Sequence, residues 1–220
     1  MKTQRTGLVA TLALCCGIVL AEEAKTPGRW EKNMQAFEER DAKTPPPKGE
    51  VVFIGSSSIV GWNLPKYFPD LKAVNRGFGG SQIADSVQYA DRILIPLEPR
   101  IVVFYAGDND IASGKTPEAV LDDYKAFVAK VHAKLPQARI IYIAIKPSIR
   151  RWALWEKMQA ANKLIAEHSK GDKRLAYLDI ATPMLGPDGK PKPELFVKDG
   201  LHLSPEGYEL WTGLLRPLLK

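Results

Sequence analysis

A parallel α/β sheet of about five strands is predicted by three features of the sequence. From residue 51 onward, short apolar runs alternate with helix-periodic segments. The runs are continuously apolar, as strands buried on both faces require, instead of alternating with polar residues. Polar or glycine-rich clusters follow the first three runs, where loops at the carboxyl edge of such a sheet fall. Strand, helix, strand, helix in that order implies right-handed crossovers between parallel neighbours.

Residues 51–54 form the first run, and Ala73 with Val74 form a weaker second. Ile101–Tyr105 and residues 140–145 are strongly β-prone, and Leu175–Leu178 is the fifth candidate. Helical periodicity covers residues 83–95, 117–135 and 152–168, with a last helix from Pro205 to about residue 219. Two helix starts are well marked. Thr116-Pro117-Glu118 and Ser204-Pro205-Glu206 each supply an N-cap, a proline in the first turn and an acid at the positive end of the helix dipole.

Ahead of this domain, residues 1–21 read as a secretory signal peptide. Lys2 and Arg5 precede an apolar stretch over residues 8–20, Val19-x-Ala21 is a small-residue exit, and Glu22 and Glu23 break the run. The apolar core is short for a membrane span, although an uncleaved anchor is the alternative. Lipidation at Cys15 or Cys16 is disfavoured by the bulk of Leu14. The implied setting is secreted or periplasmic, with no membrane span in the mature chain. Residues 22–49 are a polar leader. Residues 29–42 suit one helix with Trp30, Met34 and Phe37 on a face, and Thr44-Pro45-Pro46-Pro47 ends it. The main domain is then residues 50–220, with no internal repeat.

The chain has 220 residues, 45% hydrophobic and 25% charged, which suits one folded domain with a tail and excludes disordered or collagen-like classes. Both cysteines lie within residues 1–21, so the mature protein has no thiol for a disulfide, a nucleophile or a metal. Three histidines argue against a multi-histidine metal centre. Removing residues 1–21 lowers the net charge from +6 to +4. That excess is scattered and forms no basic stripe, so nucleic acid is not an expected partner.

The chemistry gathers in four clusters. They are Gly55-Ser56-Ser57-Ser58, Asn75-Arg76-Gly77-Phe78-Gly79-Gly80-Ser81, Gly107-Asp108-Asn109-Asp110, and Asp199-Gly200-Leu201-His202 just before the last helix. A serine hydroxyl needs an adjacent base, and histidine is the usual one. His132 inside a helix and His168 at a helix end read as surface or capping residues. His202 has Asp199 three residues earlier, placed to hold one ring nitrogen, although a local loop hydrogen bond explains the same spacing. Acyl transfer also needs donors aimed at an oxyanion. The Gly80 N–H, the Asn109 amide and the N–H of the serine itself are candidates. Taken singly, Gly77, Gly79 and Gly80 fit a tight turn, and residues 107–110 fit an ordinary loop. No phosphate-loop pattern is present.

In combination these clusters resemble the SGNH hydrolases, also called the GDSL esterase/lipase family, over about residues 50–218. Gly55-Ser56-Ser57 matches the family's Gly-Asp-Ser block with Ser56 in place of the aspartate. The alignment selects Ser57 among three adjacent serines. Gly80 falls on the oxyanion glycine, with Ser81 where many members carry Asp. Gly107-Asp108-Asn109-Asp110 matches Gly-x-Asn-Asp in full, and Asp199 with His202 matches Asp-x-x-His. The resemblance implies a flavodoxin-like three-layer α/β/α sandwich. It implies a serine esterase with Ser57, Asp199 and His202 as triad, an oxyanion hole of Ser57, Gly80 and Asn109, an acyl-enzyme intermediate and no metal or organic cofactor. Arg151 and Trp152, after the fourth strand, are candidates for the pocket rim, though Trp152 also suits the core. With no long apolar insertion to act as a lipid lid, short acyl chains are expected, including acetyl groups on carbohydrate. The partner is a small-molecule or glycan ester. An acyltransferase or thioesterase using the same site, and a non-catalytic carbohydrate-binding module on the same fold, are the alternatives.

Overall fold

The computed structural model describes residues 28–220, so the expected signal peptide at residues 1–21 lies outside the described residues. The domain is a five-stranded sheet, parallel throughout: β1 (Val51–Gly55), β2 (Ala73–Gly77), β3 (Ile101–Tyr105), β4 (Arg139–Ile143) and β5 (Leu175–Leu178). The spatial order is β2-β1-β3-β4-β5. Every residue of β1 and β3 is buried, which is why those segments read as unbroken apolar runs. Gly55 pairs with both Gly77 and Tyr105, so β1, β2 and β3 end level and their following loops open on one edge.

Aromatic side chains mark the two faces. Phe53 packs on Trp62 and Phe68, and both Trp62 and Tyr105 pack on Trp211. On the opposite face Phe104 stacks on Phe127 at 4.0 Å between ring centres, and Tyr142 meets Tyr124. Phe104 and Tyr105 are consecutive, so they point to opposite faces. Eight α-helices lie among the described residues: α1 (Glu31–Lys43), α2 (Ser57–Val60), α3 (Leu64–Tyr67), α4 (Ile83–Ile93), α5 (Asp108–Ala112), α6 (Pro117–Lys134), α7 (Trp155–Ser169) and α8 (Pro205–Leu215). The predicted N-caps are made, with Thr116 accepting from the Ala119 N–H and Ser204 from the Gly207 N–H.

The differences from the sequence reading have local causes. The fourth strand was expected over residues 140–145, but its pairing ends at Ile143. The backbone of Ile145 is instead held at both N–H and C=O by the Asn162 side chain on α7, at 2.8 and 2.9 Å. The third predicted helix starts as a 3-10 turn over Trp152–Leu154 before α7. The last one tightens into a 3-10 turn after Leu215, where Pro217 follows. The short α2, α3 and α5 are too brief for periodicity to reveal.

The leader helix is built into the domain. Met34 is wholly buried and Trp30 meets Phe78 edge-on at 5.7 Å. Arg92 on α4 binds Glu31 and Glu38 through its fork, and Asp41 pairs with Arg76, an arginine buried on β2. Met34→Ala should therefore lower the unfolding free energy by about 2–5 kcal/mol, the usual cost of emptying a core methionine site. A urea midpoint equal to that of the parent protein would contradict this packing.

Candidate active site

β1 and β3 are neighbours in space, but β2 comes between them in sequence. The chain leaves β1 toward one edge and returns to place β3 on the other side, so the crevice between their carboxyl ends is a topological switch point. Ser57 follows β1 and Asn109 follows β3, one on each side of it. Gly55 sits at φ +135°, and a Cβ there would lie 1.8 Å from the Tyr105 carbonyl oxygen. Only glycine lets the chain turn so tightly against β3.

Of the three adjacent serines, Ser57 alone is only partly buried. Ser58 Oγ accepts from the Lys146 ammonium at 3.2 Å, and Ser56 Oγ is buried with no hydrogen-bond partner among the described residues. Ser57 Oγ lies 3.1 Å from His202 Nε2, across a sequence separation of 145 residues. The other ring nitrogen, Nδ1, meets Asp199 Oδ2 at 2.5 Å. Asp199 Oδ1 accepts the backbone N–H groups of Leu201 and His202 at 2.8 and 2.9 Å. These bonds, that to the His202 ring first, hold the Asp199 carboxyl well below the ordinary carboxylate range. The carboxylate therefore fixes the imidazole with Nδ1 as donor, leaving Nε2 to face the serine. The other two histidines are engaged elsewhere: His132 bonds the Ala138 carbonyl, and His168, half-buried instead of capping its helix, packs edge-on against Tyr124.

The donor side is assembled from three loops. Gly80 has φ +77°, whereas Gly77 and Gly79 avoid the left-handed region. A Cβ on Gly79 would touch the Ser57 Cβ at 3.8 Å, which sets this turn beside the serine. Neither the Ser57 nor the Gly80 N–H meets an acceptor among the described residues, leaving both free for an incoming oxygen. The Asn109 amide donates to the Ser81 carbonyl at 2.9 Å. Asp110 takes the Ile83 N–H and the Lys115 ammonium, tying the third loop to the second. A hydroxyl with its base and oriented donors is the equipment for acyl transfer.

Arg151 and Trp152 part company. The Arg151 guanidinium is tied to Asp108 Oδ2 at 2.8 Å and Asn109 Oδ1 at 2.9 Å. Trp152 stacks on Trp155 and lines a cleft of about 640 Å³ with Ile149, Pro187, Lys190, Pro191 and Glu194. Sequence reasoning missed Lys146, whose ammonium is wholly buried and bonds Tyr105 Oη at 2.9 Å, Ser58 Oγ, and Asp108 Oδ2 at 3.4 Å. A lysine directly after an apolar strand was its only signal. No cluster of three or more His, Cys, Asp or Glu side chains placed to hold a metal ion occurs among the described residues. No helix among them is long and apolar enough to cross a membrane.

A family model described as the GDSL-like Lipase/Acylhydrolase family matches residues 53–210. The chain is 32% identical over 208 residues to platelet-activating factor acetylhydrolase IB subunit alpha1 of Bos taurus, covering 90% of this chain and 85% of that one. The Homo sapiens form is 31% identical over 208 residues, covering 90% and 86%. Among solved structures, a GDSL-like lipase from Bacteroides thetaiotaomicron aligns with TM-score 0.74 at 22% identity, over 85% of this chain and 97% of its own. A family 3 carbohydrate esterase from Clostridium thermocellum aligns with TM-score 0.61 at 14% identity, over 77% and 96%. At those identities the structural likeness is one of fold.

The depressed Asp199 carboxyl has a pH signature. A carboxylate whose folded value lies below its unfolded value of about 3.9 adds stability above that pH and loses it as pH falls toward the folded value. The stability difference between the parent protein and Asp199→Asn should shrink steadily as pH falls below about 4. Urea midpoints measured against pH check this, and a difference that is unchanged at pH 2 contradicts it.

Proposed function

This chain belongs to the GDSL-like lipase/acylhydrolase family and is a carboxylic ester hydrolase; on that premise we propose that it is a serine esterase for short acyl chains, with Ser57 as nucleophile. The observation that carries the reading is the unbroken line from Ser57 Oγ to His202 Nε2 at 3.1 Å and from His202 Nδ1 to Asp199 at 2.5 Å. Ser57 Oγ attacks the acyl carbon while His202 Nε2 takes its proton, and Asp199 steadies the imidazolium. The carbonyl electrons collect on an oxygen held by the Ser57 and Gly80 N–H groups and the Asn109 amide. Collapse of this adduct expels the alcohol, which takes the proton from His202. Water, activated by the same imidazole, then frees the acid and restores Ser57.

The substrate sides follow from the proton path. His202 has to protonate the departing oxygen, so the alcohol lies toward the loop of residues 199–202. That loop adjoins the cleft of Trp152, since a Cβ on Gly200 would lie 3.2 Å from the Ile149 Cβ and the Arg150 N–H bonds the Gly200 carbonyl. A cleft with Trp152 and three prolines among its walls, together with Asp188, Lys190 and Glu194, suits a bulky alcohol with an apolar face and polar edges, such as a sugar. Acetyl as the acyl group draws support from the relatives, which are named as acetylhydrolases. Export to the periplasm or the cell exterior is the setting we propose, on the sequence of residues 1–21 alone.

Ser57→Ala should abolish hydrolysis of p-nitrophenyl acetate while the far-ultraviolet circular dichroism stays that of the parent. Turnover retained in Ser57→Ala but lost in Ser58→Ala would move the nucleophile. Trp152→Ala should raise KM about tenfold for acetylated xylo-oligosaccharides, equivalent to about 1.4 kcal/mol of lost contact, and leave hydrolysis of ethyl acetate unchanged. An equal effect on both esters would remove the cleft from alcohol recognition.

A further inference from the structure

We infer that Arg151 is a positioning residue that fixes which end of the Asn109 amide faces the reacting carbonyl, and that Asp108 in turn holds Arg151 for this task. The inference rests on the reading of Asn109 as an oxyanion donor. An asparagine amide is nearly symmetric in shape, so rotating it by half a turn exchanges a donor for an acceptor in the same place. Turned the wrong way, Asn109 would present a carbonyl oxygen to the oxyanion. Only its neighbours decide the orientation, and here both agree.

On one side stands the Arg151 guanidinium, 2.9 Å from Asn109 Oδ1. A guanidinium donates only, so it demands the amide oxygen. On the other side stands the Ser81 carbonyl, 2.9 Å from Asn109 Nδ2. A carbonyl accepts only, so it demands the amide nitrogen. Of the two amide hydrogens, one is spent on Ser81 and the other has no acceptor among the described residues. Reversal would set two donors against each other at Arg151 and two acceptors against each other at Ser81.

Arg151 is in turn well held. Its second terminal nitrogen donates to Asp108 Oδ2 at 2.8 Å, so the first two residues of α5 occupy both arms of its fork. The Arg151 side chain is only 19% exposed, and the Asp108 side chain is 4% exposed. The neighbouring Arg150 N–H bonds the Gly200 carbonyl, so the turn that carries Arg151 is pinned to the loop carrying Asp199 and His202. Lys146 contacts the same Asp108 oxygen at 3.4 Å. Two cations thus share one carboxylate, and the cluster keeps one surplus positive charge behind the amide. Burial pushes the neighbouring Tyr105 phenol up to about 12, so it adds no negative charge at neutral pH. Asp110, on the far side of Asn109 in sequence, shares the Lys115 ammonium with Asp123. A developing oxyanion would be drawn both to the amide and to this surplus.

The test compares Arg151→Ala, Arg151→Lys, Asn109→Ala and the double variant Arg151→Ala/Asn109→Ala on p-nitrophenyl acetate. Asn109→Ala should lower kcat by roughly 100- to 1000-fold. Arg151→Ala should lower kcat by about 10- to 100-fold with KM within about twofold, because the interaction strengthened is that with the transition state. Arg151→Lys should recover little, since the shorter side chain carries its charge on a single nitrogen and cannot reproduce the fixed fork that spans Asp108 Oδ2 and Asn109 Oδ1. Guanidinium ion at millimolar concentration should restore part of kcat in Arg151→Ala and none in the double variant. The double variant should be no more than about threefold slower than Asn109→Ala alone, because residues acting as a unit are not additive. An unchanged kcat in Arg151→Ala, a rise confined to KM, or full additivity in the double variant would each overturn the inference. Should Arg151→Ala fail to fold, Arg151→Lys against Asn109→Ala gives the same kcat and KM comparison. Full activity of Ser57→Ala would instead bring down the serine mechanism itself, whatever Arg151 does.

Discussion

The level ending of β1 and β3 at the centre of a sheet buried on both faces is the constraint from which the site follows. A strand whose side chains are all enclosed can offer chemistry only at its end. With Gly55 beside Tyr105, the loops after β1 and β3 must leave from the same line. The switch in strand order separates them enough to hold a substrate between. The Tyr105 carbonyl fastens the turn further by accepting the Ser56 N–H at 2.9 Å, so Ser57 starts α2 at a fixed height above the sheet. Tyr208 on α8 reaches back to the Ser58 carbonyl, which ties the helix after His202 to the serine loop.

Beneath that opening the domain tolerates an expensive arrangement. Taking Lys146 and Asp108 out of water costs several kcal/mol per ion, and their attraction repays it only if the remaining groups are satisfied. Lys146 is satisfied by Tyr105, Ser58 and Asp108, and although burial alone would lower its affinity for a proton, Asp108 and Tyr105 hold the ammonium above the ordinary lysine range. Asp108 is less complete, since its Oδ1 is buried without a partner among the described residues. A fold seeking stability alone would put apolar side chains here. The charge retained at this cost reaches Asn109 through Arg151, which joins Asp108 Oδ2 to Asn109 Oδ1.

The leader helix α1 shows the same economy of contact at the other flank. A Cβ on Gly80 would lie 3.4 Å from the Arg29 guanidinium and 3.5 Å from the Trp30 ring, so the turn that offers the Gly80 N–H is backed by the residues just ahead of α1. The leader, read from the sequence as packing on the domain, thus forms part of the wall behind the candidate site, and residues 44–47 connect α1 with β1.

Local chemistry made the backbone plan readable from the chain alone. Continuous apolar runs announce buried strands, and Thr116 or Ser204 before Pro-Glu announces a helix start, because these signals depend on neighbours a few residues away. The candidates Ser57, Gly80, Asn109, Asp199 and His202 came from the resemblance carried by their short motifs in combination, since each motif singly fits an ordinary turn. What the tertiary structure alone decided involves partners far apart in sequence. That Ser57 faces His202 while Ser58 is claimed by Lys146 depends on contacts across 145 and 88 residues. That Arg151 grips Asn109 while the adjacent Trp152 lines a separate cleft depends on where β4 delivers its loop. Periodicity and propensity report which side of an element is apolar, but the pairing of buried polar groups is settled by packing, which no short window of sequence contains.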